Sequence, residues 1–325
     1  MDMLTFAVWL IIVGLFYVLS LLALKFVTIR IVIAVVAFLP LAAIAAFFVF
    51  SHPQLPNVGH KAQFFSTWKV GGHRGSAHVT APENSLEAFS AVKSEGGQLA
   101  EMDIQITMDG VPVICHDANT ARVAGVDKDI SAMNVSEFRQ LRLLGTNISL
   151  PTFEEAVAHC AKNGIMMIWD VKNVDENLLK QFVLHVETYN LYSMVLITGF
   201  NPIDTYKMKS MDSRILTGFT WRNWELSTTD ELSTTPRFGG ALHAIAIFLD
   251  VILFALARSL VIPKFLGSDV IFYNVNDISR CLQSDAAANN IYVAAWTSNN
   301  ATEQVWLRDH LKIPFLTDNV GAVPR

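Results

Sequence analysis

Between Leu99 and Thr107 the sequence reads LAEMDIQIT, an apolar run that carries two carboxylates two residues apart, Glu101 and Asp103. Residues two apart on a strand point to one face. Both side chains therefore aim at one place beside Met102, Ile104 and Ile106. Two like charges so close are costly unless a cation neutralises them or one takes a proton. A hard divalent cation with oxygen ligands is their natural partner.

The flanking segments bring complementary groups. His73 and Arg74 follow the apolar run that begins at Lys69. His116 and Asp117 close another, Val111 to Cys115, which follows the pair Asp109-Gly110. Asp-Gly between alternating apolar runs predicts a hairpin. Two imidazoles supply a base and an acid, and the planar fork of Arg74 suits a phosphate. Metal, acid, base and anion clamp together describe phosphodiester cleavage.

The chain here resembles the glycerophosphodiester phosphodiesterases. The matching residues are His73-Arg74-Gly75, Pro82-Glu83-Asn84-Ser85, Glu101-x-Asp103, Asp109-Gly110, His116-Asp117, Asp170-Val171-Lys172 and Val293-x-x-Trp296-Thr297-x-Asn299. Their order is far more specific than any one of them, and the likeness runs from about Lys69 to Asp318. The resemblance implies His73 and His116 as the acid–base pair, with His73 the first base and His116 the first acid. It implies Glu101, Asp103 and Asp170 as ligands of Mg²⁺ or Ca²⁺, and Arg74 and Lys172 as phosphate binders. Glu83 is expected to ligate the metal or to orient Arg74 and the glycerol, and Trp296 to wall the substrate pocket. Asn84 and Ser85 are expected as helix caps. The family usually has glutamate where Asp170 stands, so a water or a shifted metal is expected to fill the shorter reach.

Strand-like runs at Leu99–Thr107, Ile165–Asp170, Met194–Thr198, Ile215–Thr220, Val270–Tyr273, Ile291–Trp296 and Pro314–Thr317 join the first at Lys69–Gly72. Helical runs separate most of them, beginning with Glu83–Glu95. Thr152 and Glu155 predict a capping box. Val111–Cys115 is a hairpin extension of the second strand, and Ala118–Leu150 an insertion with one short helix near Val135–Leu141. Eight strands alternating with helices predict a (β/α)8 TIM barrel, whose active site lies at the C-terminal strand ends. His73, Asp170, Trp296 and Asp318 all fall at such ends.

Apolar residues make up 52% of the 325 and charged residues only 16%, a balance that points to lipid contact. Leu4–Leu24 and Ile31–Phe50 are each long enough to span a bilayer, which predicts a two-pass hairpin over residues 1–50, with a single pass followed by a buried or interfacial helix as the alternative. Lys25 and Arg30 between them place that loop in the cytosol and the catalytic domain outside or in a lumen. Three glycosylation acceptors, at Asn134, Asn147 and Asn300, would then be lumenal. Residues 51–66 read as a polar linker and 67–325 as the catalytic domain. A second apolar run at 241–262 carries Asp250 and Arg258. A pass there would split the barrel across the membrane, so it reads as an interfacial helix or as an unusually apolar barrel helix. Trp221 and Trp224 precede it and read as interface-seeking.

The net charge of −5 suggests no nucleic-acid partner. The three cysteines fit neither a disulfide framework nor a zinc spacing, and Cys115 reads as an inert buried thiol. The expected activity is hydrolysis of glycerophosphodiesters, such as glycerophosphoinositol or an N-acylated glycerophosphoethanolamine, to glycerol 3-phosphate and an alcohol. The alternatives are a lysophospholipase D acting on an intact lysolipid, and an inactive membrane adaptor. The retained His73, Arg74, Glu101, Asp103, His116 and Lys172 weigh against the adaptor.

Overall fold

The computed structural model describes residues 13–18, 20, 27–78, 80–172, 175–230 and 233–325. They fall into two compact units, Met1–Ser51 and His52–Arg325. In the first, helix α1 runs from Val27 to Phe50 through Pro40. Its 24 residues cover about 36 Å at ~1.5 Å per residue, enough for a bilayer core. The other expected arm, Leu4–Leu24, lies largely outside the described residues.

The second unit is a barrel. Its strands are β1 (Val70–Gly72), β2 (Leu99–Ile106), β3 (Pro112–Ile114), β4 (Met166–Val171), β5 (Val195–Thr198), β6 (Leu216–Trp221), β7 (Val270–Asn274), β8 (Tyr292–Trp296) and β9 (Phe315–Thr317). All but β3 are parallel, and β1 pairs with both β2 and β9, so eight strands close on themselves. β3 hangs antiparallel on β2, with Thr107 and Asp109-Gly110 forming the turn. Closure follows from alternation within the strands. Met102, Met167 and Trp169 face out and pack with Phe153 and Phe182 under the helices. Leu99, Met166, Ile168 and Leu316 face in and fill the barrel.

The segment 51–66 is not a linker. It carries helix α2 (Gly59–Thr67), whose Phe64 and Phe65, with Trp68, pack against the inward residues where the strands begin. Lys61 is fully buried there, with its ammonium 3.1 Å from Asp269 and 2.8 Å from the Asn290 carbonyl. This helix plugs the end of the barrel opposite the strand C-termini. Aromatic anchors one, three and four residues apart mark it, but nothing in that spacing says where they insert.

Helix α3 spans Leu86–Ser94 and starts later than Glu83, because the Ser85 hydroxyl accepts from the Ala88 N–H as its N-cap. Glu83 and Asn84 are left in the preceding loop, free for the site. The insertion holds three short turns, Ala121–Ala124, Ile130–Ala132 and Val135–Phe138, rather than one helix, around its own core of Val123, Ile130, Met133 and Phe138. The Thr152 and Glu155 capping box opens α4 (Phe153–Asn163). Helices α5 (Glu176–Thr188) and α6 (Pro202–Met211) follow β4 and β5.

Helix α7 is Gly240–Arg258; the chain breaks at Leu260, with φ of 62°, before α8 (Val261–Leu266). Ala246, Asp250 and Ala257 form its narrow buried stripe, while Leu242, Ile245, Phe248, Leu249 and Ile252 are exposed. Asp250 turns inward to accept from the N–H groups of Leu226 and Ser227 at 2.9 and 2.8 Å. Its charge therefore does not interrupt the apolar face. Trp221 ends β6 in the core and does not reach the surface, whereas Trp224 is exposed.

Candidate active site

Alternation along β2 builds the centre of the site. Glu101 and Asp103 project into the barrel, both almost fully buried. The parallel register places Asp103 beside Asp170 on β4, and Glu101 beside Ile168. Carboxylate oxygens of Glu101, Asp103 and Asp170 lie within 4.8 Å of one another. Asp170 Oδ1 is buried without a hydrogen-bond partner. A buried trio of hard oxygens with one orphaned atom fits a divalent cation with oxygen ligands. Glu83 is not part of this trio.

The protein's own cations partly neutralise the cluster. Lys172 Nζ lies 2.8 Å from Asp103 Oδ1 and also bonds Asp170. Arg74 Nε is 3.5 Å from Asp103 Oδ2, and the Arg74 N–H donates to Glu101 Oε2 at 2.7 Å. Arg74 makes that backbone bond from a left-handed conformation, at φ 59°. The tight return from Gly72 to Gly75 creates it; a Cβ on Gly72 would meet the Gly75 carbonyl at 2.3 Å. Burial, and then the charge of Asp103, pushes the Glu101 carboxyl up. Burial also opposes ionisation of Asp103, but Lys172, His116 and Arg74 outweigh it and hold that carboxyl well below the usual range. Burial works against the Lys172 charge too, and Asp170 and Asp103 more than compensate, so its pKa is raised.

Asn84 is not a helix cap. It sits at φ 57° and donates from Nδ2 to Asp103 Oδ2 at 2.9 Å, while its Oδ1 accepts the Asp103 N–H at 3.3 Å. Asparagine tolerates that left-handed conformation, which is the one trace of this role in the sequence.

Both histidines line the cavity above the carboxylates, with Arg74, Lys172, Phe200 and Trp296. His73 Nδ1 lies 2.7 Å from Asp318, and His116 Nδ1 lies 2.6 Å from Asp117. An ionised carboxylate only accepts, so each ring donates from Nδ1 and keeps Nε2 for proton exchange. Burial disfavours the His73 cation, but Asp318 and then the charge of Glu101 outweigh it and raise its pKa. Asp318 is itself held by Asn299, which donates to it and accepts its N–H. Trp296 is buried and meets Phe200 edge-on at 5.5 Å, forming an apolar wall with Ile168, Phe272 and Leu316.

Glu83 faces Arg74 at 3.2 Å and is gripped by Arg122, which also grips Asp117. Sequence reasoning did not single out Arg122, because it stands in an aperiodic segment of the insertion. The assembled site offers three carboxylates for a cation, two basic side chains for an anion and two oriented imidazoles for proton transfer.

Comparisons with known proteins identify the family. The family model described as the glycerophosphoryl diester phosphodiesterase family matches residues 73–322. Human glycerophosphodiester phosphodiesterase 1 is 29% identical over 261 residues, covering 76% of this chain and 77% of the human protein. A mouse lysophospholipase D is 30% identical over 103 residues, covering 32% of this chain and 30% of its own length. A solved Oleispira antarctica phosphodiesterase, bound to the product sn-glycerol-3-phosphate, superposes with a TM-score of 0.59 at 20% identity over 80% of this chain and 97% of its own. The extent of the family match, on a closed barrel with these groups at its strand ends, establishes that the chain belongs to the glycerophosphoryl diester phosphodiesterase family, the phosphoric diester hydrolases that act on glycerophosphodiesters.

Proposed function

We propose that this protein is a membrane-anchored, metal-dependent glycerophosphodiesterase that uses His73 and His116 for acid–base catalysis. The observation that carries this reading is the pair of imidazoles, each fixed through Nδ1 by a carboxylate, over three clustered carboxylates in one cavity. Bound on Glu101, Asp103 and Asp170, a Mg²⁺ or Ca²⁺ ion supplies charge neutralisation at a phosphoryl oxygen. Arg74 and Lys172 hold the phosphate, and Lys172 exchanges its carboxylate partners for phosphate oxygens.

His73 Nε2 takes the proton of the glycerol 2-hydroxyl as its oxygen attacks phosphorus. The bond from phosphorus to the alcohol breaks, and His116, protonated on both nitrogens as it enters this step, passes its Nε2 proton to the departing oxygen. His116 is the more exposed ring, 34% against 18%, which suits the one that meets a leaving group on its way to solvent. Water then opens the cyclic phosphate, with His116 taking its proton and His73 returning one to the 2-oxygen. Trp296 and Phe200 face the glycerol carbons.

Two helices among the described residues are long and apolar enough to cross a membrane, Ile31–Phe50 and Gly240–Arg258. We assign α1 as a span and α7 as a helix lying in the interface, its Asp250 turned into the protein and its apolar face toward lipid. A spanning α7 would part β7–β9 from strands with which they form one barrel. The barrel then lies on the extracytoplasmic side, with Asn134, Asn147 and Asn300 exposed for glycosylation. Its preferred substrates are lipid-derived glycerophosphodiesters.

The test is release of glycerol 3-phosphate by purified full chain from a panel of glycerophosphodiesters, with Mg²⁺, Ca²⁺ or chelator, beside His116→Ala. Metal-dependent release lost in the variant is expected. Preference for bilayer-presented lysolipid over every water-soluble diester would transfer the protein to the lysophospholipase D reading. No release from any diester by folded protein would favour the inactive adaptor.

A further inference from the structure

Arg122 belongs to none of the motifs that identify the site. It stands in the single turn Ala121–Ala124 of the insertion and spends its guanidinium on two carboxylates. Nε and Nη2 reach Asp117 at 2.6 and 3.2 Å, while Nη1 and Nη2 reach Glu83 at 2.9 and 2.7 Å. Each carboxylate in turn holds a site residue. Asp117 faces His116 Nδ1 at 2.6 Å, and Glu83 accepts from Arg74 Nη1 at 3.2 Å.

We propose that Arg122 is a positioning residue, a clasp from the insertion that ties the aim of the His116 imidazole to that of the Arg74 guanidinium. The inference rests on the roles given above to His116 and Arg74. The insertion thereby becomes part of the active-site scaffold rather than a decoration on the hairpin.

The geometry separates this role from direct phosphate binding. A guanidinium has five N–H donors, and the four contacts to Asp117 and Glu83 leave one. A phosphate arriving at Arg122 would have to displace a bidentate carboxylate. The clasp also explains why Asp117 and Glu83 sit near each other at all, since one delocalised cation with two forks satisfies both. Without it, Asp117 loses its anchor and no longer fixes which nitrogen of His116 carries the proton. Glu83 would then turn wholly to Arg74 and compete with phosphate for it. Loss of the clasp is therefore felt both in turnover and in substrate binding. Lysine is no substitute, because one ammonium cannot present two parallel forks.

The test uses purified full chain with glycerophosphocholine and Mg²⁺, comparing wild type, Arg122→Ala, Arg122→Lys, Asp117→Asn, Glu83→Gln, the Arg122→Ala double variants with each, and His116→Ala. Arg122→Ala is expected to lower kcat/KM by about 10- to 100-fold, as loss of an outer-shell partner does, with kcat reduced and KM raised. Arg122→Lys should be no better than alanine. Millimolar guanidinium should restore part of the alanine variant's activity and leave wild type unchanged. Each double variant should lose no more than its worse single, the mark of residues acting as a unit.

Additive losses, rescue by lysine, or a folded alanine variant with wild-type kinetics would overturn the clasp. So would a variant that melts earlier and is indifferent to guanidinium, since that is a purely structural residue. Full release by His116→Ala is a separate failure, of the catalytic reading itself.

Discussion

Replacing Asn84 by glycine is expected to cost about 3 kcal/mol of stability and at least tenfold in activity. Its Nδ2 donates to the Asp103 carboxylate at 2.9 Å, and its Oδ1 takes the Asp103 N–H at 3.3 Å. A hydrogen bond to a charged group contributes about 1.5–3 kcal/mol, and a buried N–H left unpaired costs about 1–3 kcal/mol. A water entering the vacated space recovers part of that sum. Glycine adopts the observed φ of 57° without strain, so the loss reports the side chain alone. Alanine has to hold the same left-handed conformation and should lose a further ~1 kcal/mol. At about 2 °C per kcal/mol for a unit of this size, the expected drops are about 6 °C for Asn84→Gly and about 8 °C for Asn84→Ala. Melting of the detergent-solubilised full chain, followed by tryptophan fluorescence, measures both. Since Asp103 also loses the bond that aims it, kcat/KM should fall about 10- to 100-fold. A glycine variant melting within about 1 °C of wild type with intact activity would refute the reasoning, and so would alanine melting above glycine.

Several further outcomes are expected. Burial and the charge of Asp103 raise the Glu101 pKa, so a metal that requires its ionised form should expel a proton near neutral pH. Titration calorimetry in buffers of different ionisation enthalpy detects that proton, and Glu101→Gln should abolish it. The Glu83 carboxyl is held low by Arg122 and Arg74 against the effect of burial. Its folded pKa lies below the unfolded one, so its contribution to stability is full above the ordinary carboxylate range and vanishes as pH falls through the folded value. The melting difference between wild type and Arg122→Ala should accordingly shrink from about pH 6 to about pH 3. Burial pushes the Cys115 thiol up to about 12 and raises Cys160 as well, whereas Cys281 is exposed. Alkylation of native protein should modify Cys281 alone, a result read by mass spectrometry. In a Cys281→Ser background, an environment-sensitive dye on Phe248→Cys should report a lipid-like surrounding in nanodiscs, and one on Leu184→Cys on α5 should report water. Equal emission from the two would sink the interfacial assignment of α7.

The barrel was legible because its strands announce themselves through composition and period. Glu101 and Asp103 could be placed on one inward face from the spacing of two alone. Asp170 and Lys172 came with a strand end, as did His73, and the hairpin of β2 and β3 came with Asp109-Gly110. The reading faltered where a residue's role depends on a partner distant in sequence. Residues 51–66 read as a linker because the partners of Phe64 and Phe65 lie on strands spread over the rest of the chain. The start of α3 was set too early, since Glu83 and Asn84 have acceptable helix-start chemistry while their actual partners are Arg74, Arg122 and Asp103.

By itself, then, the sequence determined the alternation that puts two carboxylates inside a closed parallel sheet, and the apolar lengths that suit lipid. Both are local patterns, carried by neighbouring residues with fixed backbone periods. Tertiary structure alone decided that Asp250 turns inward and leaves α7 an unbroken apolar face. It alone decided that Asn84 steadies Asp103, that Asp318 aims His73, and that Arg122 joins Glu83 to Asp117. Those contacts bridge between 5 and 245 positions of chain, and they exist only once the barrel closes and brings its strand ends to one rim.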